Sequence, residues 1–488
     1  MPAATHQGTA THQGSAASTE VSGPPSVGGR ILDLIGLGSD RRHWLVVVFR
    51  ILVIVLVPVG AVVIGFMLAL SSGFRFGLLT ATAAIALLPV PFLVFWFAWL
   101  DRFDPARWEY LAFAFGWGAC VSTSLSLGAN TLGGYIFEQQ GMPAWWTAVF
   151  VAPVSEEITK GLAPLLLLWL WRREVIGIPD AVMYAGLSAT GFAMTENVLY
   201  LGGVYVSGEQ MQGEFGAVLG VVSLIVVRLG FTGFLHPLFT VMTGVGVGMA
   251  ARTNSLAQKI AYPAVGLFLA MLLHGTWNYT ATLGQRDPRF IGYLYFLVAL
   301  PLLFGFVIFG LWIRGGPGRT VRGVLPEYVR AGWLSPPEVG ALLTLRRRLW
   351  ARRWAKQVAG EEGSRAMRGY QIACTRLALL REARTRGVRD WEPGDPERRL
   401  LGQVTAYRQA FTGRDGTVPT AWWDGRRYLL TFPDGQQRRV EPPRSYAMPV
   451  PTRPQWGLQT PYGPQNPYGP QAPYGPQAPY GYPPGGYR

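Results

Sequence analysis

Eight stretches of this chain are each long and apolar enough to cross a lipid bilayer as a helix, which leaves few folds open. Crossing the hydrocarbon core takes about 20 apolar residues. Inside it every backbone polar group must be bonded within the protein, so only helices and closed barrels can span. The stretches run roughly from Val46 to Leu70, Gly77 to Leu100, Glu109 to Thr131, Trp145 to Trp171, Ala181 to Val206, Phe215 to Ala250, Ile260 to Leu283 and Ile291 to Ile313. The sixth is too long for one straight span and holds Arg228. A short or broken helix is expected before Arg228, then a full span carrying His236. The expected fold is an all-α polytopic membrane protein of about eight transmembrane helices.

Charge is distributed to match. Only 15% of the 488 residues are charged, yet the net charge is +15. From Arg314 onward there are 28 Lys/Arg against 13 Asp/Glu, so the preceding part balances to zero. A neutral membrane body with a basic tail follows the positive-inside bias. It argues for the bilayer as partner and against nucleic acid. Basic residues cluster before the first stretch (Arg41, Arg42) and after the second, fourth, sixth and eighth (Arg102, Arg107; Arg172, Arg173; Arg252, Lys259; Arg314). Both termini are therefore expected in the cytoplasm, in a multi-pass protein of the cell membrane. Two cysteines, Cys120 in a span and Cys374 in the tail, exclude a disulfide framework.

Five regions are expected along the chain: a disordered segment over 1–43, a membrane core over 44–314, a basic helical segment over 315–410, a small β-rich module over 411–445, and a disordered tail over 446–488. Ser335 to Arg386 reads as helical, with an interruption at Gly363. Arg346, Arg347, Arg348, Arg352 and Arg353 beside Trp350 and Trp354 read as a solvated face near anionic headgroups. A cytoplasmic partner for this tail is the sharper expectation. Asp424-Gly425 and Asp434-Gly435 are hairpin-turn signals between apolar-aromatic runs. The end repeats Pro-Tyr-Gly-Pro-Gln from Pro461, Pro467 and Pro473, a low-complexity tract that cannot bury a core.

The chemistry lies in polar residues with no packing reason to be in a bilayer. An ionisable residue at a span centre costs about 2.5–3.5 kcal/mol on insertion scales. The fourth stretch carries Glu156, Glu157 and Lys160, with Glu156 and Lys160 on nearly one helix face. The fifth carries Glu196 and Asn197, the sixth His236, and the seventh His274 and Asn278 four residues apart. Of five histidines, His236 and His274 alone lie within the membrane stretches. Imidazole and carboxylate are ordinary zinc ligands. His236, His274 and one of Glu157 or Glu196 would complete a three-ligand Zn2+ site, with Glu157 the first choice and the remaining carboxylate as base. Without a metal, Glu156 or Glu157 would activate water with one histidine, and the other histidine with Asn278 would stabilise the oxyanion. Spacing does not choose between these, because the groups come from separate helices.

Taken in order, Glu156-Glu157-Ile-Thr-Lys160, Phe192-Ala-Met-Thr-Glu196-Asn197, His236 and His274-Gly-Thr-Trp-Asn278 resemble the motifs of the PrsW intramembrane proteases. These are related to the CAAX prenyl proteases and bacteriocin-processing membrane enzymes. Asp101-Arg102-Phe103-Asp104-Pro105 is similar to that family's loop signature, and the likeness covers about Val90 to Arg314. The resemblance implies a metalloprotease that cuts membrane-anchored regulators such as anti-sigma factors at or near the membrane face. It implies a catalytic set of Glu156, Glu157, Glu196, His236, His274 and Asn278, with Lys160 anchoring the paired carboxylates. The alternatives are a proton-coupled transporter, which also needs buried Glu, Lys and His, and a noncatalytic scaffold working through its tail. His274→Leu is expected to be tolerated by the fold, because it removes a polar group from a lipid-surrounded bundle.

Overall fold

A computed structural model describes residues 44–284, 287, 289–388, 395–411, 414, 420–423, 426–431 and 437–441. The expected disordered ends and both Asp-Gly turns lie outside these residues. The chain divides at Ile51/Leu52, and the first unit contributes only the start of helix α1 to the described residues. The second unit, Leu52–Arg488, holds the rest of α1 and every other element.

The helices are α1 Trp44–Ser71, α2 Phe76–Leu87, α3 Val90–Leu100, α4 Trp108–Gly116, α5 Thr123–Gln139, α6 Ala152–Leu170, α7 Ile178–Leu224, α8 Leu235–Ala250, α9 Leu256–Gly284, α10 Arg289–Leu294 and α11 Leu300–Arg314. Among the described residues, four π-helical segments join or precede them, at Trp117–Ser122, Thr147–Val151, Ile225–Phe231 and Tyr295–Ala299. Among the described residues, six helical runs are long and apolar enough to cross a membrane, not eight. Two differences account for this. Helix α6 holds Glu156, Glu157 and Lys160 and so is not uniformly apolar. The fifth and sixth stretches form one run, Ile178–Ala250, of 73 residues.

That run is a hairpin. At 1.5 Å per residue it would be about 110 Å long, several times the hydrocarbon thickness. It reverses at Gly213, whose φ of 71° suits a residue without Cβ. The arms then run antiparallel, with Gly208 against Ala217 and Arg228 reaching Glu196 and Asn197. A second break falls at 232–234, between the π-helical segment and α8. It therefore follows Arg228 rather than preceding it. The π-helical segment carries Arg228 to its partners before α8 starts.

Small residues let the central helices approach closely, as expected where lipid supplies no hydrophobic drive between helices. A Cβ on Gly118 would lie 1.8 Å from the Ser188 carbonyl oxygen, and one on Gly191 would lie 2.1 Å from that of Phe115. The first arm of α7 is thus clamped against the α4–α5 run, and its Ala181–Ala193 stretch is buried throughout.

The tail folds back on one end of the bundle. Helices α12 Gly316–Arg330, α13 Pro336–Leu342, α14 Leu345–Thr385 and α15 Pro396–Gln409 enclose a core that includes Val321, Leu325, Trp354, Tyr370, Leu377 and Phe411. Their starts are capped: Ser335 with Glu338 forms a capping box, and Thr344 and Asp395 accept from the amides of Arg347 and Arg398. Helix α14 is interrupted at Ala359 and Gly360 (φ 64° at the latter), three residues before the expected Gly363. Gly363 instead lies close to the Ala355 carbonyl across this kink. Strands β1 Thr420–Trp423, β2 Tyr428–Thr431 and β3 Gln437–Val440 form an antiparallel sheet in sequential order.

The arginine cluster of α14 is not a uniformly solvated face. Arg348 and Trp354 are buried. Arg348 donates to the carbonyls of Leu342 (2.9 Å) and Phe103 (3.0 Å) and to Thr375 Oγ1 (2.5 Å). Burial pushes its guanidinium down to about 9. Arg376 gives Nε to both oxygens of Asp104, at 2.9 and 3.0 Å, and Arg252 pairs with Glu382 at 3.0 Å. The Asp101–Pro105 loop is therefore the seat on which the tail docks.

This seat should weaken as the pH rises. Burial pushes Glu174, in the turn after α6, up to about 7, despite Arg376 and Arg107 nearby. A carboxyl raised in the folded state holds its proton there after the unfolded chain has lost it. Stability should therefore fall as pH rises from about 4.5 to 7. Glu174→Gln should make that fall shallower, as read from thermal unfolding in detergent across this range. An unchanged slope would remove Glu174 as a contributor.

Candidate active site

The charged residues of α6 converge with residues of α7, α8 and α9. Glu157 and Lys160 are fully buried and Glu156 is 3% exposed. Lys160 Nζ lies 2.7 Å from Glu157 Oε1 and 3.5 Å from Glu156 Oε2, and sits 4.5 Å from the Phe192 ring centre. Spacings of three and four residues place the lysine over both carboxylates.

Glu157 is saturated with partners. Its Oε1 also contacts His274 Nδ1 at 2.9 Å, and its Oε2 accepts from Thr240 Oγ1 at 2.8 Å. Thr240 lies one turn after His236 on α8 and was not singled out by the sequence. With Nδ1 so engaged, His274 presents Nε2 to Glu156 Oε2 at 3.8 Å. The Phe239 ring stacks on the imidazole, 5.5 Å between centres.

His236 Nε2 lies 3.1 Å from Glu196 Oε2, its Nδ1 lies 3.4 Å from Lys160 Nζ, and its ring meets that of His274 edge-on at 5.1 Å. The same oxygen of Glu196 also forms an ion pair with Arg228. Arg228 also donates Nε to Asn197 Oδ1 at 2.8 Å and lies 3.9 Å from the Tyr200 ring centre. The sequence flagged Arg228 only as a sign of a broken helix. Its intramembrane position was the signal of a carboxylate partner, and the hairpin at Gly213 supplies one.

The ligand atoms of Glu156, His236 and His274 all lie within 4.8 Å of one another, which suits one metal ion. The expected trio had Glu157 in place of Glu156. The two are adjacent on α6, so they point about 100° apart, and the bonds to Lys160, His274 and Thr240 engage Glu157. Counted as ionised, three carboxylates (Glu156, Glu157, Glu196) face two basic groups (Lys160, Arg228), which leaves one formal negative charge for an added cation. Asn278 is apart from this group. Its amide donates to the Ala148 carbonyl at 2.8 Å and ties α9 to the π-helical turn before α6. Asn197 faces Arg228 rather than the histidines.

Polar side chains fasten α6 from behind. Trp117 Nε1 donates to the Thr159 carbonyl at 2.9 Å, and Ser122 and Ser126 lie 2.7 and 2.8 Å from Thr159 Oγ1. Asn130 holds Ser155 at 2.7 Å and approaches Glu156 at 3.4 Å. In His274→Leu, Glu157 would keep Lys160 and Thr240. The amount of variant in membranes should therefore stay within about twofold of wild type by quantitative immunoblot; a collapse would make His274 a folding residue.

Residues 106–306, from the loop before α4 to within α11, match the family described as PrsW family intramembrane metalloprotease. No curated protein and no solved structure matches the chain.

Proposed function

With residues 106–306, part of its membrane body, matching the PrsW family intramembrane metalloproteases, we propose that this protein hydrolyses peptide bonds of membrane-anchored regulatory proteins of the anti-sigma-factor kind. The match makes it an intramembrane metallopeptidase. The observation that carries it is the convergence of Glu156, His236 and His274 from three helices. Carboxylate and two imidazoles match the protein donor set of catalytic zinc. Zn2+ held there would supply Lewis acidity toward the scissile carbonyl and toward water.

The other residues then have distinct tasks. Glu157 fixes the His274 ring through Nδ1 and so leaves Nε2 for the metal, the carboxylate–histidine arrangement that orients such ligands. Lys160 balances the paired carboxylates. Glu196, beside His236 and more exposed than Glu157, takes a proton from the attacking water and returns it to the departing amine. Arg228 and Asn197 hold Glu196 in place, and Asn278 holds α9 to the turn before α6. Both termini are cytoplasmic on this reading, because the basic loops fall on one side.

The test is N-terminal labelling of membrane proteins from wild-type cells and from cells carrying only Glu156→Gln. Single-span proteins that lose a new N-terminus and accumulate intact in the variant are the expected result. Identical termini in both strains under several envelope stresses would remove the proposed substrate class.

A further inference from the structure

Helix α5 and the π-helical turn before it carry Ser122, Ser126 and Asn130, spaced four residues apart and so on one side of the run. That side meets α6. Ser122 and Ser126 lie 2.7 and 2.8 Å from Thr159 Oγ1. Asn130, one turn further on, meets an earlier turn of α6. Ser155 Oγ donates to Asn130 Oδ1 at 2.7 Å, and Asn130 Nδ2 donates to Glu156 Oε1 at 3.4 Å. These bonds have one consistent direction. An ionised carboxylate only accepts, so Glu156 selects the NH2 end of the amide. The oxygen end is left to the Ser155 hydroxyl, which can donate to it. The other oxygen of Glu156, Oε2, lies 3.5 Å from Lys160 Nζ and 3.8 Å from His274 Nε2. One oxygen therefore faces α5 and the other faces the histidine.

We infer that Asn130 is a positioning residue for the metal: it holds Oε1 of Glu156 and so aims Oε2 at the space between His236 and His274. This rests on the reading of Glu156, His236 and His274 as the metal ligands. The last torsion of a glutamate side chain is broad, with no sharply preferred value. A carboxylate held at one oxygen no longer swings about that bond, and metal binding does not have to freeze it. Outer partners of metal ligands work in this way, and losing one costs about 10–100-fold in metal affinity or activity. Glu157 does the same for His274 through Nδ1, so each of these two ligands has its own orienting partner. Hydroxyls and amides also bridge membrane helices simply to pack them, and Ser122 and Ser126 do this through Thr159. Asn130 differs from them because its partner is the ligand itself. It lies outside the motifs that the sequence singled out, and only the meeting of α5 with α6 reveals it.

The experiment measures the zinc affinity of the full-length protein in detergent, after stripping the metal, by competition with a chelator of known affinity. The unfolding midpoint of the metal-free protein is recorded beside it, which separates lost binding from lost fold. Asn130→Leu, close in shape but without the amide, should bind zinc about 10–100-fold more weakly than wild type. Ser155→Ala deletes one hydroxyl and leaves the amide without its orienting partner. It should weaken binding in the same direction by a smaller factor. Ser126→Ala is the control. It loses a bond to Thr159 and leaves Glu156 untouched, so its zinc affinity should equal that of wild type. Unchanged affinity in either Asn130→Leu or Ser155→Ala overturns the inference. An equal loss in Ser126→Ala also overturns it, because the whole stripe would then act through packing. A wild-type protein that binds no zinc would overturn the metal reading beneath it, so the two failures are told apart.

Discussion

Glu156→Gln and His236→Ala are each expected to lower the rate of peptide-bond cleavage by on the order of 1,000-fold or more. Both residues belong to the group whose ligand atoms fall within 4.8 Å. Glutamine keeps the size of Glu156 and its contact with Asn130, so packing is preserved while the anionic donor is lost. His236→Ala also removes the contact to Glu196, leaving that carboxylate to Arg228 alone. Asn278→Ala, by contrast, deletes one bond to the Ala148 carbonyl at the rim. It should cost less than about tenfold. The check is the turnover of a labelled single-span substrate by reconstituted protein, with membrane insertion verified for each variant. Equal losses in Asn278→Ala and Glu156→Gln would move Asn278 back among the reacting groups.

The largest stability effect is expected at Lys160. Its ammonium is fully buried and lies 2.7 Å from Glu157 and 3.5 Å from Glu156. Lys160→Met would leave two adjacent buried carboxylates without their shared cation. Breaking a buried pair by removing one partner costs about 3–5 kcal/mol. Adding Glu157→Gln to Lys160→Met should recover part of this, because it removes one orphaned charge while keeping a group that can still bond Thr240 and His274. Unfolding of the single and double variants in detergent measures the coupling directly. A cost below about 1 kcal/mol for Lys160→Met would mean that water solvates the carboxylates and that the cluster is not sealed.

How much of this was legible depends on whether the information was local. Glu156, Glu157 and Lys160 could be grouped from the sequence, since three and four residues are one helical turn. Glu196, His236 and His274 could be singled out by the cost of placing them in a bilayer, and the structure does bring them together. Which carboxylate joins the histidines was not legible. It depends on Thr240 and His274 engaging Glu157, and both arrive from other helices. Asn278 was drawn in by its place four residues after His274. Four residues also displace a side chain by about 6 Å along the axis, enough to carry it out of the cluster to Ala148. Arg228 was visible as an anomaly, but its partner depended on the reversal at Gly213. That reversal lies in the polar stretch expected to form a loop. The burial of Arg348 was hidden for a different reason: within a run of three arginines nothing marks the one that docks on Phe103.

The most direct test of the central claim is the metal content of protein purified without chelators, measured by mass spectrometry of the elements. One zinc per chain is predicted for wild type and for Asn278→Ala. Glu156→Gln, His236→Ala and His274→Ala should each reduce it far below one. Cleavage by a wild-type preparation free of any transition metal would contradict the metal centre and return the chemistry to the carboxylates and histidines alone.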